Sequence, residues 1–264
     1  MKAIEGIILD WAGTTVDFGC MAPVNVFVEI FHDAGVEVTI EEARKPMGML
    51  KIEHIRTMLQ MPRIEQLWQE VHGSPFTEQD VEALYVKFEK SLMKTLATFT
   101  DPIDHVVEAV THLRSKGLKI GSTTGYTQMM MDVVVPKAKA KGYSPDFYIT
   151  PDATNSLGRP YPYMIYRNME QLQLQSVQQV VKIGDTVSDI NEALNAGVWA
   201  VGVVIGSSEM GLSKEEYEAL TPEEKEQIIE RTAQKFKDLG AHYTIRTMNE
   251  LPGLIDKINE RLNR

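Results

Sequence analysis

The apolar run GIIL at residues 6–9 has no partner nearby: the next run that reads as a strand is LKIGST, at residues 118–123. A strand so short is stable only inside a sheet, so the fold must return to it from far along the chain. What lies between is helical in pattern. APVNVFVEIFHDAG carries apolar residues at helical spacing from Pro23 and stops at Gly35, and TIEEAR starts a second helix at Thr39. LKIEHIRTMLQ and RIEQLWQEVHG follow on either side of Pro62, and Thr77 caps the longest, TEQDVEALYVKFEKSLMKTLATF. From Pro102 the rhythm alternates: a helix to Lys116, LKIGST, a helix after Thr127, DFYIT, a helix after Pro162, VVKIGD, a helix after Ser188, then VWAVGVV. Such alternation predicts βαβ units and a parallel sheet. The charged stretch SKEEYEALTPEEKEQIIERTAQKFKDLG suits solvated helices, and HYTI with a terminal helix completes the pattern. The helical unit, residues 20–98, is therefore an insertion into a core built from residues 1–19 and 99–264.

With 264 residues, 43% of them hydrophobic, the chain can bury a core without staples. Its single cysteine, Cys20, excludes an internal disulfide framework and fits a reducing compartment. No apolar run approaches the roughly 20 residues of a membrane span, and the amino terminus lacks a signal-peptide pattern, so a cytoplasmic location is expected. The formal charge of -10 argues against nucleic-acid binding. An anionic ligand would need local groups that override this field.

Four strand ends carry suggestive groups. Asp10 is the first polar residue after GIIL and is followed by Gly13, Thr14 and Thr15; in a parallel α/β sheet, ligands bind outside the carboxyl ends of the strands. An Asx turn would also account for it. In STTGY, Thr124 and Gly125 lie between a strand and a helix, where free amides and the helix dipole favour a phosphate, although a plain turn has the same composition. In GRPYPY, Pro160 and Pro162 delay the next helix and hold Arg159 on a loop at the same sheet edge. In KIGDTVSDINEALNAG, Asp185 ends a strand and Asp189 follows at a helix start, a pair that suits a hard cation such as magnesium; helix capping by Ser188 and Asp189 would explain it too.

In that order, Asp10, Thr124, Arg159 and the pair Asp185 and Asp189 resemble the four motifs of the haloacid dehalogenase superfamily of phosphoryl-transfer enzymes. The resemblance spans the whole chain. It implies an α/β fold with a Rossmann-like parallel-sheet core and an inserted α-helical cap, the place that residues 20–98 occupy. It also implies a nucleophilic Asp10, phosphate binding by Thr124, Gly125 and Arg159, and Mg2+ held by Asp10, Asp185 and the backbone carbonyl of Ala12. Asp189 would stand behind the metal, positioning its waters or neighbouring residues. The departure is Ala12, because most phosphatases and mutases of the superfamily have there a second Asp that protonates an oxygen leaving group.

The cap carries RKPMGMLKIEHIR, with Lys51 amid Met47, Met49, Leu50 and Ile52, and His54 three residues on along the same helical face. A lysine at the reference pKa of about 10.4 is protonated at neutral pH, but apolar surroundings lower that value and free a nucleophile; a solvated lysine beside a surface histidine is the alternative. Together with DWAGTTVD, IGSTTGYT and VKIGDTVSD, this segment resembles the phosphonatase branch of the superfamily. That branch implies cleavage of the carbon–phosphorus bond of phosphonoacetaldehyde through an imine on Lys51, with His54 moving protons to or from the amine. Gly125, Tyr126, Met47, Gly48 and Cys20 would line the substrate site. Ala12 fits, since the leaving group is a carbon stabilised through nitrogen. Two rivals are a cap-bearing phosphatase or sugar-phosphate mutase that lost its second Asp, and a non-catalytic signalling module phosphorylated on Asp10. A homodimer through the cap helices is expected from the apolar Phe27, Ile30 and Phe31.

Overall fold

All four residues of β1 (Gly6–Leu9) are buried, with Ile7 and Leu9 packed into one apolar cluster and Ile8 into another. A strand covered on both faces belongs inside a parallel sheet. The computed structural model describes residues 3–263; residues 1, 2 and 264, which the expected core boundaries include, lie outside the described residues. The other strands are β2 (Lys119–Thr123), β3 (Phe147–Ile149), β4 (Val180–Gly184), β5 (Trp199–Val203) and β6 (Tyr243–Ile245). All pair in parallel, in the order β3-β2-β1-β4-β5-β6. One face is covered by α8 (Tyr163–Leu172), α9 (Val187–Ala196) and α11 (Pro222–Asp238), which set Ile165, Ile190 and Phe236 against Ile8, Val180 and Ala200. Helices α6 (Val106–Ser115), α7 (Gln128–Ala140) and α12 (Leu251–Leu262) cover the other, with Val110, Val134 and Ile255 in the cluster that holds Ile7, Ile120 and Val201. A short α10 (Lys214–Ala219) precedes α11.

Five helices separate β1 from β2: α1 (Met21–Asp33), α2 (Ile40–Arg44), α3 (Lys51–Leu59), α4 (Pro62–His72) and α5 (Glu78–Thr95). Thr39 and Thr77 start α2 and α5 with capping boxes completed by Glu42 and Asp80, so each satisfies two amides that a helix start leaves free. α5 stops at Thr95 and gives way to a tighter turn, Leu96–Thr98. Phe27 of α1 stacks on Phe88 of α5 at 4.3 Å between ring centres. Phe27, Ile30 and Phe31 are all buried within the chain itself, so the residues from which a dimer was expected are spent on the insertion's own core. A second correction concerns α9: its cap is Thr186, not Ser188, and Asp189 completes that capping box. Among the described residues no helix is long and apolar enough to cross a membrane.

The connection from β1 into α1 has left-handed backbone at Asp17, Gly19 and Cys20, which turns the chain sharply out of the core. Asp17 is buried, and its two carboxylate oxygens accept hydrogen bonds from the amides of Met21 and Ala22, each at 3.0 Å. Burial outweighs these bonds and pushes its pKa from 3.8 up to about 7. The folded chain therefore keeps between about pH 4 and pH 7 a proton that the unfolded chain has released, and stability falls as pH rises through that window. Three units correspond to roughly 4 kcal/mol at most. Asp17→Asn removes the titration, so the difference in unfolding free energy between variant and parent should shift in the variant's favour from pH 5 to pH 8. Urea unfolding at both pH values checks this, and parallel profiles would contradict it.

Candidate active site

The chain runs outward from β1 to β2 and β3, then returns to place β4 on the other side of β1. At such a switch point the connections leave in opposite directions and open a crevice at the strands' carboxyl ends. Asp10 follows β1 there and Asp185 follows β4, with the Asp10 amide donating to Ile183 O at 3.0 Å. Trp11 is an anchor: fully buried, it meets Tyr143 edge-on at 5.1 Å, while Thr15 Oγ1 donates to Asp10 O at 2.9 Å and fixes the turn. Asp10, Ala12, Cys20, Met47, Gly48, Lys51, Thr124, Gly125, Tyr126 and Arg159, with Thr186, line one cavity of about 20 Å³. The cavity thus unites residues from the insertion and from the ends of β1 and β2. His54, Asp185 and Asp189 lie outside its lining.

Arg159 is buried, with three carboxylates and a hydroxyl around its guanidinium and Nη1 left without a hydrogen bond. Nη2 reaches Asp10 Oδ1 at 2.5 Å and Thr123 Oγ1 at 2.9 Å, Nε donates to Glu192 Oε2 at 3.0 Å, and Nη1 lies 3.1 Å from Asp189 Oδ1. Burial works against its charge, but Asp10, Asp189 and Glu192 together hold the guanidinium firmly protonated. Asp189 has no oxygen to spare: Oδ1 takes Lys182 Nζ at 2.7 Å and Oδ2 takes Thr186 Oγ1 at 2.6 Å. Burial pushes its pKa up, yet Arg159, Lys182 and Thr186 outweigh it and keep the carboxyl below its usual range.

Asp185 is the opposite case. Burial first, then the nearby Asp10 and Asp189, raise its pKa well above the ordinary carboxylate value, and the Ser208 amide at 2.8 Å offsets this only in part. Thr14 Oγ1 donates to its other oxygen at 2.9 Å. Oxygens of Asp10, Asp185 and Asp189 all lie within 4.8 Å of one another. Four buried carboxylates, counting Glu192, face two buried cations, Arg159 and Lys182, so full ionisation leaves two excess negative charges. A divalent cation bound through oxygen fits both the donors and the charge. Asp10 and Asp185 have the free lone pairs for it; Asp189 holds the basic groups behind them.

Lys51 opens α3 and is 3% exposed. Its Nζ lies 5.2 Å from the ring centre of Tyr126, 5.9 Å from that of Phe27 and 4.0 Å from Met47 Sδ. Burial is the largest influence on its pKa and lowers it; Arg159 acts in the same direction, while Cys20, Asp10 and Asp185 oppose. His54 lies one helical turn along, stacked on Phe27 at 3.7 Å, with Nε2 2.8 Å from Ala43 O. Burial and then Lys51 push its pKa well down, which makes the ring a neutral imidazole donating to Ala43. Its Nδ1 has no hydrogen-bond partner, so the proton exchange expected with Lys51 is not a direct contact. Burial also raises the Cys20 thiol and the Tyr126 phenol, leaving both protonated.

The haloacid dehalogenase-like hydrolase family matches residues 23–203. A phosphonoacetaldehyde hydrolase from Lysinibacillus sphaericus is 66% identical over 98% of this chain and 96% of its own. The chain belongs to the phosphonoacetaldehyde hydrolase family. A bifunctional phosphonoacetaldehyde hydrolase/aminoethylphosphonate transaminase from Clostridioides difficile is 53% identical over 97% of this chain and 40% of its own length. The crystal structure of a phosphonoacetaldehyde hydrolase-like protein from Oleispira antarctica superposes with a TM-score of 0.94 at 38% identity, covering 98% of this chain and 94% of that one.

Within this family framework the structure adds residues that the motif reading passed over. Glu192 and Lys182 are wholly buried and surround Arg159 and Asp189; Thr123 Oγ1 donates to Glu192 Oε2 at 3.0 Å. A signal was present, because Lys182 interrupts an otherwise apolar strand, and a charge there must be paired. Ser188, freed from capping, donates Oγ to Met47 O at 3.0 Å and ties α9 to the segment before Lys51. A β-carbon on Gly125 would sit 2.7 Å from Met49 O and 2.9 Å from Gly48 O, so glycine is what lets the insertion's backbone close over the end of β2.

Proposed function

We propose that this hydrolase cleaves the carbon–phosphorus bond of phosphonoacetaldehyde to acetaldehyde and phosphate, through an imine on Lys51 and an aspartyl-phosphate on Asp10. The observation that carries the reading is one cavity shared by a buried amine and a buried carboxylate, with the methyl of Ala12 where an acid would otherwise stand. The names of the relatives support the substrate.

A carbon–phosphorus bond resists attack because its departing electrons have nowhere to go. The neutral amine of Lys51 adds to the aldehyde carbon, water leaves, and the protonated imine becomes an electron sink. Asp10 attacks phosphorus opposite the carbon, the carbon–phosphorus electron pair passes into an enamine, and the phosphoryl group stays on Asp10. Protonation of the enamine carbon and hydrolysis of the imine release acetaldehyde and restore the amine. Water frees phosphate from Asp10. Arg159, Thr124 and the amides around Gly125 stabilise the phosphoryl oxygens, preorganised by the charges behind them. Mg2+, held by Asp10, Asp185 and the carbonyl of Ala12, would supply positive charge against the crowding of anions. With its pKa held well down, His54 acts as a relay rather than a store: Nδ1 passes a proton to or from the Lys51 side through a water molecule. Gly48, Met47, Cys20 and Tyr126 enclose the two-carbon unit.

In this reading residues 20–98 act as a cap that moves. At about 20 Å³ the cavity has room for about one water molecule and not for the substrate, so substrate enters only when the insertion lifts away. Every residue of the site comes from one chain, so the expected homodimer is not needed to complete it.

The test is turnover. With Mg2+ and phosphonoacetaldehyde the protein should release acetaldehyde and phosphate in equal amounts, lose activity on chelation and regain it when Mg2+ returns. Phosphate esters should be turned over at least about a thousandfold less efficiently, because no general acid protonates an oxygen leaving group. Efficient ester hydrolysis without phosphonate cleavage would give the function to the phosphatase reading.

A further inference from the structure

The last residue of α2, Arg44, ties the insertion to the core at a point outside the cavity. Its Nη1 donates to Gly19 O at 2.6 Å and approaches Ser208 Oγ at 3.3 Å and Ser208 O at 3.4 Å; Nη2 lies 3.2 Å from Met21 Sδ. Gly19 sits in the left-handed connection by which the chain leaves the core. Its amide donates to Gly206 O at 2.7 Å, which binds that connection to the loop after β5. Ser208 of the same loop donates its own amide to Asp185 Oδ2 at 2.8 Å. One guanidinium thus touches the connection, the start of α1 and the loop that holds a carboxylate of the proposed metal site.

We infer that Arg44 is a positioning residue: it latches the insertion in its seated position and couples that position to the orientation of Asp185. The inference rests on the reading that the insertion moves to admit substrate. It is suited to reversible release, because Arg44 is half-buried and lines a surface cleft of about 580 Å³ shared with Lys45, Glu209 and Arg231, where water can replace its bonds. Lysine substitutes only in part, since one ammonium can stand in for Nη1 at Gly19 O and Ser208 but leaves the Nη2 contact with Met21 Sδ unmade.

If substrate binds productively only to the seated form, loss of the latch lowers the fraction of competent protein, and apparent affinity falls by that fraction while saturating substrate restores the seated state. Arg44→Met should therefore raise KM for phosphonoacetaldehyde by about tenfold with kcat within about threefold of the parent. Titration calorimetry with Mg2+ alone should show binding weakened several-fold, because the loop that holds Asp185 has lost its anchor. Arg44→Lys should fall between parent and Arg44→Met in both measurements, and it keeps the test decisive if the methionine variant does not fold. Unchanged KM and Mg2+ affinity, or a fall in kcat at constant KM, would overturn the proposal. If the parent itself does not cleave phosphonoacetaldehyde, the functional reading fails separately, and the Mg2+ titrations alone decide the coupling to Asp185.

Discussion

Borohydride added together with phosphonoacetaldehyde should inactivate the protein completely and irreversibly, whereas either reagent alone should leave it active. Hydride reduces an imine to a secondary amine that water cannot reverse, so the intermediate is caught as it forms. After carbon–phosphorus cleavage the trapped group is an ethyl substituent on nitrogen, and peptide mass analysis should find it on Lys51 in a one-to-one ratio. The selectivity has a physical cause. Exposed lysines are almost wholly protonated at neutral pH and react slowly, while burial among Phe27, Tyr126 and Met47 lowers the Lys51 pKa and frees its lone pair. Lys51→Arg keeps a positive charge but forms no comparable imine, so it should be neither trapped nor active. Adducts spread over several lysines, or an active Lys51→Arg protein, would remove the imine from the mechanism and leave a phosphoryl-transfer hydrolase of another substrate.

Asp10→Asn should lower kcat by at least about four orders of magnitude and leave the fold intact. The amide keeps the shape of the carboxylate and still offers an oxygen to Arg159 Nη2, so the network around Glu192 and Thr123 has no reason to collapse. It removes one negative charge from a buried group with an excess of them, which relieves Asp185 rather than straining it. What it loses is the lone pair that attacks phosphorus and one oxygen of the cation site. Because imine formation precedes that attack, the variant should still be trapped on Lys51 by borohydride, now with the phosphonate attached. Circular dichroism and urea unfolding check the fold, and phosphate release checks the chemistry. Retention of even a hundredth of the activity would transfer the nucleophile's role to another group.

The sequence by itself determined the local events. Helical spacing, the caps at Thr39 and Thr77, and strands followed by Asp10, Thr124 and Asp185 depend on a few neighbouring residues, and the structure has each of these elements with ends shifted by at most a few residues. An apolar run stranded at residues 6–9 also called for partners from far along the chain, since a strand so short is stable only inside a sheet, and β2 and β4 are those partners. Tertiary structure decided what depends on distance through space. Thr186 and not Ser188 caps α9, because Ser188 is drawn off to Met47 O, 141 residues away in sequence. Phe27, Ile30 and Phe31 have the same apolar spacing whether they meet a second copy or α5, and only packing shows that they fill the insertion's own core. Lys51 depends on this most: its charge state is set by its surroundings, and burial between α1 and the turn after β2 lowers a pKa that the sequence alone leaves at its ordinary value.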